Sequence, residues 1–375
     1  MVEVYGCKIS YYTGKLETYL RYRSIPYRNS PTLGHQKRLR AETGVSQMPV
    51  VQIDDGRWAT DTTPLIAWFE SQQPEPSLYP QEPVLRFLAH LIEDYADEWL
   101  WRPAMHYRWS GHADRCYAAE AIYNDLMAGR SWIPRFVGIR MLKARQFLGF
   151  VRGDGVRRES RDHADRTYLT ALDRLQAIFE IRPFVLGEQP TLADFGLMGP
   201  MLRHFSQDPT PAEIMRTRAP AVYEWVARMW NEKAKTSGLE TISVADEPLI
   251  DLVREGVETH LVQLRQNAEA YSRGATRYDL LVQGTRYVRV PTSRYRVWCL
   301  EALGREWDRL NDQDKQALRG AVDRPEFDVL NEVGNYAPSA YDPEGLAPFN
   351  RAINVFGSGF PPWFGRAASF WPQSN

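Results

Sequence analysis

Residues 48–65 read MPVVQIDDGRWATDTTPL, and they decide the fold. Positions 48–53 form a β-branched run that stops at Asp54-Asp55-Gly56, a tight hairpin signal. Positions 57–60 are expected to return antiparallel, and a helix to begin near Thr62. Proline donates nothing to a ladder, so a Met48-Pro49-Val50 step at a strand entrance is unusual. A cis Met48–Pro49 peptide at a sheet edge accommodates it, because the flanking backbone groups then turn outward and can pair with an extended ligand. An ordinary edge-strand proline is the alternative.

Upstream, positions 2–5 read as a short strand and 6–10 as a loop. Tyr12, Leu16, Tyr19 and Leu20 recur at helical spacing until Ser24 and Pro26 end the element, and Tyr27 opens a second extended piece. The order is βα, β, something helical, then ββα. Downstream, 71–83 (SQQPEPSLYPQEP) holds four prolines and few apolar anchors, which marks a domain linker. From 84 to about 237 there is no strand pattern, only apolar-periodic segments at 87–101, 135–150 and 163–179, so an all-helical domain is expected. Val253, Val257, Leu261, Leu264, Ala268 and Tyr271 then continue at helical spacing up to Gly274. Positions 278–282 and 286–290 flank Gly284 as a hairpin, 295–310 is helical again, and the Pro-, Gly- and aromatic-rich tail after Asn335 suits irregular chain packed on a surface. The expected division is 1–78, 84–240 and 247–375: α/β, then all-α, then a mixed α/β extension.

At 375 residues the chain exceeds one hydrophobic core, and 43% hydrophobic with 25% charged residues excludes a disordered or fibrous protein. No apolar run of about 18 residues and no signal-peptide pattern is present, so a cytoplasmic protein with no membrane partner is expected. A net charge of −1 supplies no field for nucleic acid. The basic stretch 135–166 is interleaved with Glu159, Asp162 and Asp165 and reads as a solvated helix face. Cys7, Cys116 and Cys299 are odd in number, far apart and without CxxC spacing, hence reduced thiols rather than a disulfide framework. His106, His112, Asp114 and Cys116 fit no metal pattern, so no metal is expected. Dinucleotide, P-loop and nucleophile-elbow motifs are missing.

The βα, proline-entered hairpin and helix pattern ending in Asp61-Thr62-Thr63-Pro64-Leu65 resembles the N-terminal thioredoxin-like domain of the cytosolic glutathione transferase superfamily. The segment Gly187-Glu188-Gln189-Pro190-Thr191-Leu192-Ala193-Asp194 resembles that superfamily's helical-domain motif. Capping physics agrees: Thr191 and Asp194, three apart, can satisfy each other's backbone N–H at a helix start. The resemblance implies that glutathione is the co-substrate, with its cysteinyl unit paired to Val50 backbone beside Gln47, Met48 and Pro49. Asp61 and Thr62 would hold the γ-glutamyl amino and carboxylate groups, a carboxylate for the ammonium and a hydroxyl with helix N-terminal N–H groups for the anion. The alternative is that Asp61 and Thr62 simply cap their helix. For the glycyl carboxylate, His35, Lys37, Arg38 and Arg40 are available.

Free glutathione is mostly protonated at neutral pH, so an enzyme must favour its thiolate with a hydroxyl or thiol donor and a helix N-terminus. Ser10 and Lys15 match the spacing of the Ser-type branches, but Tyr11 stands where a proline is expected. Tyr11 and Tyr12 can do the same work, and Cys7 could form a mixed disulfide instead. The resemblance places an electrophile pocket on the run Glu93 to Trp99 and on to Trp109, with Tyr95, Glu98, Trp99 and Tyr107 as lining residues; aromatics at such spacing also suit a core. It further implies a homodimer through the 62–70 helix and helices of 84–150, where Trp68 and Phe69 are apolar residues one small domain does not fully bury. The expected function is addition of the glutathione thiolate to an apolar electrophile. A non-catalytic adaptor, or a glutathione-dependent lyase, dehalogenase or thiol transferase, is the alternative.

Overall fold

Strand β1 (Val2–Gly6) has its buried positions on both faces, as a central strand should. The computed structural model describes residues 1–45, 47–73, 75–127, 133–235, 242 and 246–352. Helix α1 (Tyr11–Tyr22) carries the chain across one face, so β2 (Tyr27–Pro31) joins β1 in parallel, Val4 opposite Asn29. After α2 (Gln36–Thr43), β3 (Val50–Gln52) pairs antiparallel with β1 and β4 (Trp58–Thr60) pairs antiparallel with β3. The sheet order is β2-β1-β3-β4, and α3 (Thr62–Gln72) follows the last strand. The Asp54-Asp55-Gly56 turn is present, with Gly56 at φ 90°.

Met48–Pro49 is cis, as expected. The expected edge is corrected: β3 lies inside the sheet, with Val50 opposite Tyr5 on one side and Thr60 on the other. The β-branched run was legible locally, but its two neighbours come from β1 and β4, and pairing on both sides removes Val50 backbone from a ligand's reach.

The second domain begins with α4 (Pro83–Asp94), capped by the Glu82 carboxylate on Val84 and Leu85 N–H with proline in its first turn. A π-helical turn (Tyr95–Trp99) continues into α5 (Trp101–Ser110). Then come α6 (His112–Ile122), α7 (Arg135–Gln146), α8 (Arg161–Phe179), α9 (Leu192–Pro200), α10 (Pro209–Arg218) and α11 (Pro220–Asn231). Helix α9 packs on α1 and α4. Gly196 permits this approach, since a Cβ there would lie 2.6 Å from Glu93 Cα.

The extension comprises α12 (Glu247–Gly256), a π-helical turn (Val257–Leu261), α13 (Val262–Ser272), the hairpin β5 (Arg277–Val282) and β6 (Thr285–Pro291), α14 (Arg294–Asp308) and α15 (Asp312–Val322). It is mixed α/β, as the sequence suggested. It is also built into the other two domains: α12 packs on α4 and α8, and α14 on α4. Trp307 and Phe327 close over Phe87, with ring centroids 5.2 and 6.4 Å away. Beyond α15 the chain makes two 3₁₀ turns (Pro325–Asn331 and Val333–Asn335), then runs irregularly from Tyr336 back to the first domain. Phe349 packs edge-on against Trp68 at 5.2 Å, Pro348 carbonyl accepts from Thr60 N–H at 3.4 Å, and Ala352 N–H donates to Thr43 carbonyl at 2.9 Å. The remainder of the aromatic tail, 353–375, lies outside the described residues. No described helix is long and apolar enough to cross a membrane.

Candidate functional site

Ser10 ends the loop after β1 and is the N-cap of α1, its Oγ accepting from Thr13 N–H at 3.5 Å. The half-buried hydroxyl therefore sits at the positive end of a twelve-residue helix. The neighbouring hydroxyls point elsewhere: Tyr11 donates to the Ala96 carbonyl, and Tyr12 to the Asp97 carbonyl at 2.9 Å. Burial, helped by the nearby Asp97 and Glu98 carboxylates, holds both phenols well above their usual range. Cys7 is buried, and loss of hydration pushes its thiol up to about 12.

Lys15, five positions on, is fully buried. Its ammonium meets Glu93 and Asp97, each at 2.5 Å, and Thr63 Oγ1 at 3.2 Å. Burial opposes its charge, but the two carboxylates outweigh that and raise its pKa. One side chain thus ties α1 to the first turn of α3, to α4 and to the π-helical turn.

Asp61 precedes α3 with φ 73°, a left-handed conformation uncommon outside glycine. It makes no side-chain cap bond. Its Oδ1 accepts from Tyr295 hydroxyl at 3.1 Å and its Oδ2 from Tyr341 hydroxyl at 2.9 Å. Part of its surface stays open. Loss of hydration nevertheless raises the carboxyl to about 6, against the pull of the Tyr341 and Tyr295 hydrogen bonds and of Lys15. Thr62 is buried as the first residue of α3. Gln47 and Met48 are half-buried in the approach to β3, and Pro49 carbonyl accepts from Thr60 Oγ1 at 3.1 Å. On α2 and its N-cap, Lys37 and Arg40 are exposed, His35 lies edge-on to Tyr5 at 5.3 Å, and the Arg38 guanidinium is 4.8 Å from the Trp58 ring.

The expected electrophile pocket is corrected. Tyr95, Glu98 and Trp99 are buried beneath the extension rather than lining a cleft. Glu98 is paired with Arg296 at 3.0 Å, and burial raises it to about 7. Trp99 packs edge-on to His163 and Tyr287, and Gly256 of α12 lies against the Tyr95 ring. Tyr107 is half-buried, edge-on to Tyr168 at 5.1 Å inside the helical domain. The run 93–99 mixes carboxylates with aromatics, which reads as a wet face until the extension supplies Arg296 and, at 2.7 Å from Asp94, His260. The site residues that sequence reasoning missed, Tyr295 and Tyr341, lie 234 and 280 positions from Asp61. No local signal connects them.

A four-stranded mixed sheet with a cis-proline, docked through α1 on a helical domain, defines a thioredoxin-like domain joined to an all-α partner. Residues 4–77 match the family model of the glutathione S-transferase N-terminal domain, and 140–233 that of the glutathione S-transferase C-terminal domain. The chain thus carries both domains of the glutathione S-transferase superfamily. Neither model reaches past residue 233.

Solved structures with a similar arrangement include a glutathione S-transferase from Rhodospirillum rubrum, at 17% identity and TM-score 0.39 over 60% of this chain and 86% of that one. A beta-etherase from Sphingobium sp. strain SYK-6 is similar at 17% identity and TM-score 0.43, over 61% of this chain and 94% of its own. A Methylobacterium radiotolerans glutathione S-transferase, solved in complex with glutathione sulfonate, is similar at 15% identity and TM-score 0.37, over 65% and 99%.

Proposed function

We propose that the protein is a glutathione transferase that binds glutathione between the heads of α1 and α3, activates its thiol with Ser10, and adds the sulfur to an apolar electrophile. The tie that Lys15 of α1 makes to Thr63 in the first turn of α3, with Ser10 and Asp61 at the two helix N-caps, carries this reading. Asp61 supplies the negative charge for the γ-glutamyl ammonium, and the α3 N-terminus with Thr62 receives the γ-glutamyl carboxylate. The cysteinyl backbone meets residues 47–49, ahead of β3, in place of the paired Val50. Lys37 is the cation proposed for the glycyl carboxylate, exposed on α2. Among the donors weighed, Ser10 is favoured because the Tyr11 and Tyr12 hydroxyls are spent on helical-domain carbonyls and the Cys7 thiol resists ionisation. Three free cysteines suit a reducing, cytoplasmic setting.

A second reading, a non-catalytic glutathione-binding protein, draws on the burial of Tyr95, Glu98 and Trp99 under the extension. Ser10→Ala separates the two. A hydroxyl donor and a helix dipole together favour the thiolate by about 1 to 3 kcal/mol. Conjugation at pH 7 should therefore fall about 10- to 100-fold with glutathione affinity nearly unchanged. Full activity in Ser10→Ala would remove the serine from the mechanism, and retention on immobilised glutathione without turnover of any thiol-reactive substrate would favour the second reading.

A further inference from the structure

We propose that Tyr295 and Tyr341 belong to the glutathione site: the C-terminal extension supplies two hydroxyls that orient the Asp61 carboxylate toward the γ-glutamyl ammonium. This assignment rests on the glutathione reading above and adds to it a positioning role for residues of the third domain.

Each carboxylate oxygen has one tyrosine hydroxyl, Tyr295 on Oδ1 and Tyr341 on Oδ2. A carboxylate oxygen has room for two donors, so both oxygens keep a lone pair for an incoming ammonium. The two tyrosines are buried and Asp61 as a residue is half-buried, so both donors approach its carboxylate from the protein side. They are also fixed in place. Their rings pack at 5.2 Å, and Trp298 lies 5.3 Å from the first and 5.1 Å from the second. Ser339 donates to Glu301 at 2.6 Å, the Arg294 guanidinium holds the Ser339 and Ala340 carbonyls, and Asn350 Nδ2 donates to the Tyr341 carbonyl at 3.4 Å. Asp61 makes no cap bond with α3, so its orientation falls to these hydroxyls. An ammonium is held by an ionised carboxylate, and hydrogen bonds to the charged form favour it. The other ionisable groups around Asp61 are Lys15 on α1, Glu93 on α4, Glu98 on the π-helical turn and Cys299 on α14, with Asp342 beside Tyr341. Lys15 aids ionisation and Glu93 opposes it, leaving the carboxyl near 6 with both hydroxyls in place.

Calorimetric titration of the full-length protein with glutathione from pH 5 to 9 tests the assignment. Tyr341→Phe and Tyr295→Phe keep the rings and should each weaken binding about 10-fold, the loss expected for a hydrogen bond to a charged group. Binding falls away as acid protonates Asp61. Without the hydroxyls the carboxyl protonates more readily, so the midpoint of that loss should move to higher pH in both variants. In an Asp61→Asn background neither tyrosine substitution should weaken binding further. Unchanged affinity and an unchanged pH profile would overturn the assignment, as would tighter binding, which would make the tyrosines competitors for the carboxylate. No glutathione binding by the unsubstituted protein would instead overturn the glutathione reading, and the assignment with it.

Discussion

Asp61 and Asp194 both stand at the start of a helix, and their surroundings give them different work. The Asp194 carboxylate accepts from Thr191 N–H at 2.9 Å, Thr191 hydroxyl at 3.1 Å, Val185 N–H at 3.0 Å and Trp225 indole N–H at 3.2 Å. Its reciprocal pairing with Thr191 is a capping box, legible because the two residues are three apart in sequence. Burial raises the carboxyl to about 6, and the four donors resist that rise. Asp194→Ala would strand several buried donors at about 1 to 3 kcal/mol each, so a loss of at least about 3 kcal/mol is expected in urea unfolding. An unchanged midpoint would show that the box contributes little. Asp61 is the same residue type at the N-cap rather than in the first turn, and its partners come from α14 and the tail, where nothing nearby in sequence announces them.

At the scale of elements, α1 owes its orientation to the buried triad of Lys15, Glu93 and Asp97. Removing one member of a buried ionic cluster leaves uncompensated charge and typically costs about 3 to 5 kcal/mol. Lys15→Met keeps the length of the side chain and should lower stability by that amount in chemical denaturation. If the variant unfolded like the parent, the two carboxylates would have to be shedding their charge at negligible cost. The sequence marks Lys15 only by its spacing from Ser10, and packing on α4 turns it inward. Segment 93–99 is buried, and its burial goes unread in sequence for the related reason that amphipathic spacing reveals which residues share a face but not what covers that face.

At the scale of the molecule, the extension covers α3 and α4, two of the elements on which a second subunit is expected. Phe349 lies against Trp68 at 5.2 Å, Arg57 stacks on Phe349 at 4.1 Å, and α12 and α14 cover α4. Phe69 is 8% exposed. We therefore expect sedimentation at micromolar concentration to give a single chain of 43.3 kDa. A stable dimer would require a surface other than the covered faces of α3 and α4.

The sequence by itself determined the order of elements in the first domain, the helical second domain, the hairpin of the extension and the capping box. These rest on periodicity, turn chemistry and contacts a few residues apart, all written in neighbouring positions. Only the tertiary structure decided that Val50 lies between two strands, that Tyr11 and Tyr12 spend their hydroxyls on helical-domain carbonyls, and that Tyr295 and Tyr341 reach Asp61. Such pairings join segments up to 280 positions apart, and they form only when the burial of separate apolar faces brings those segments together.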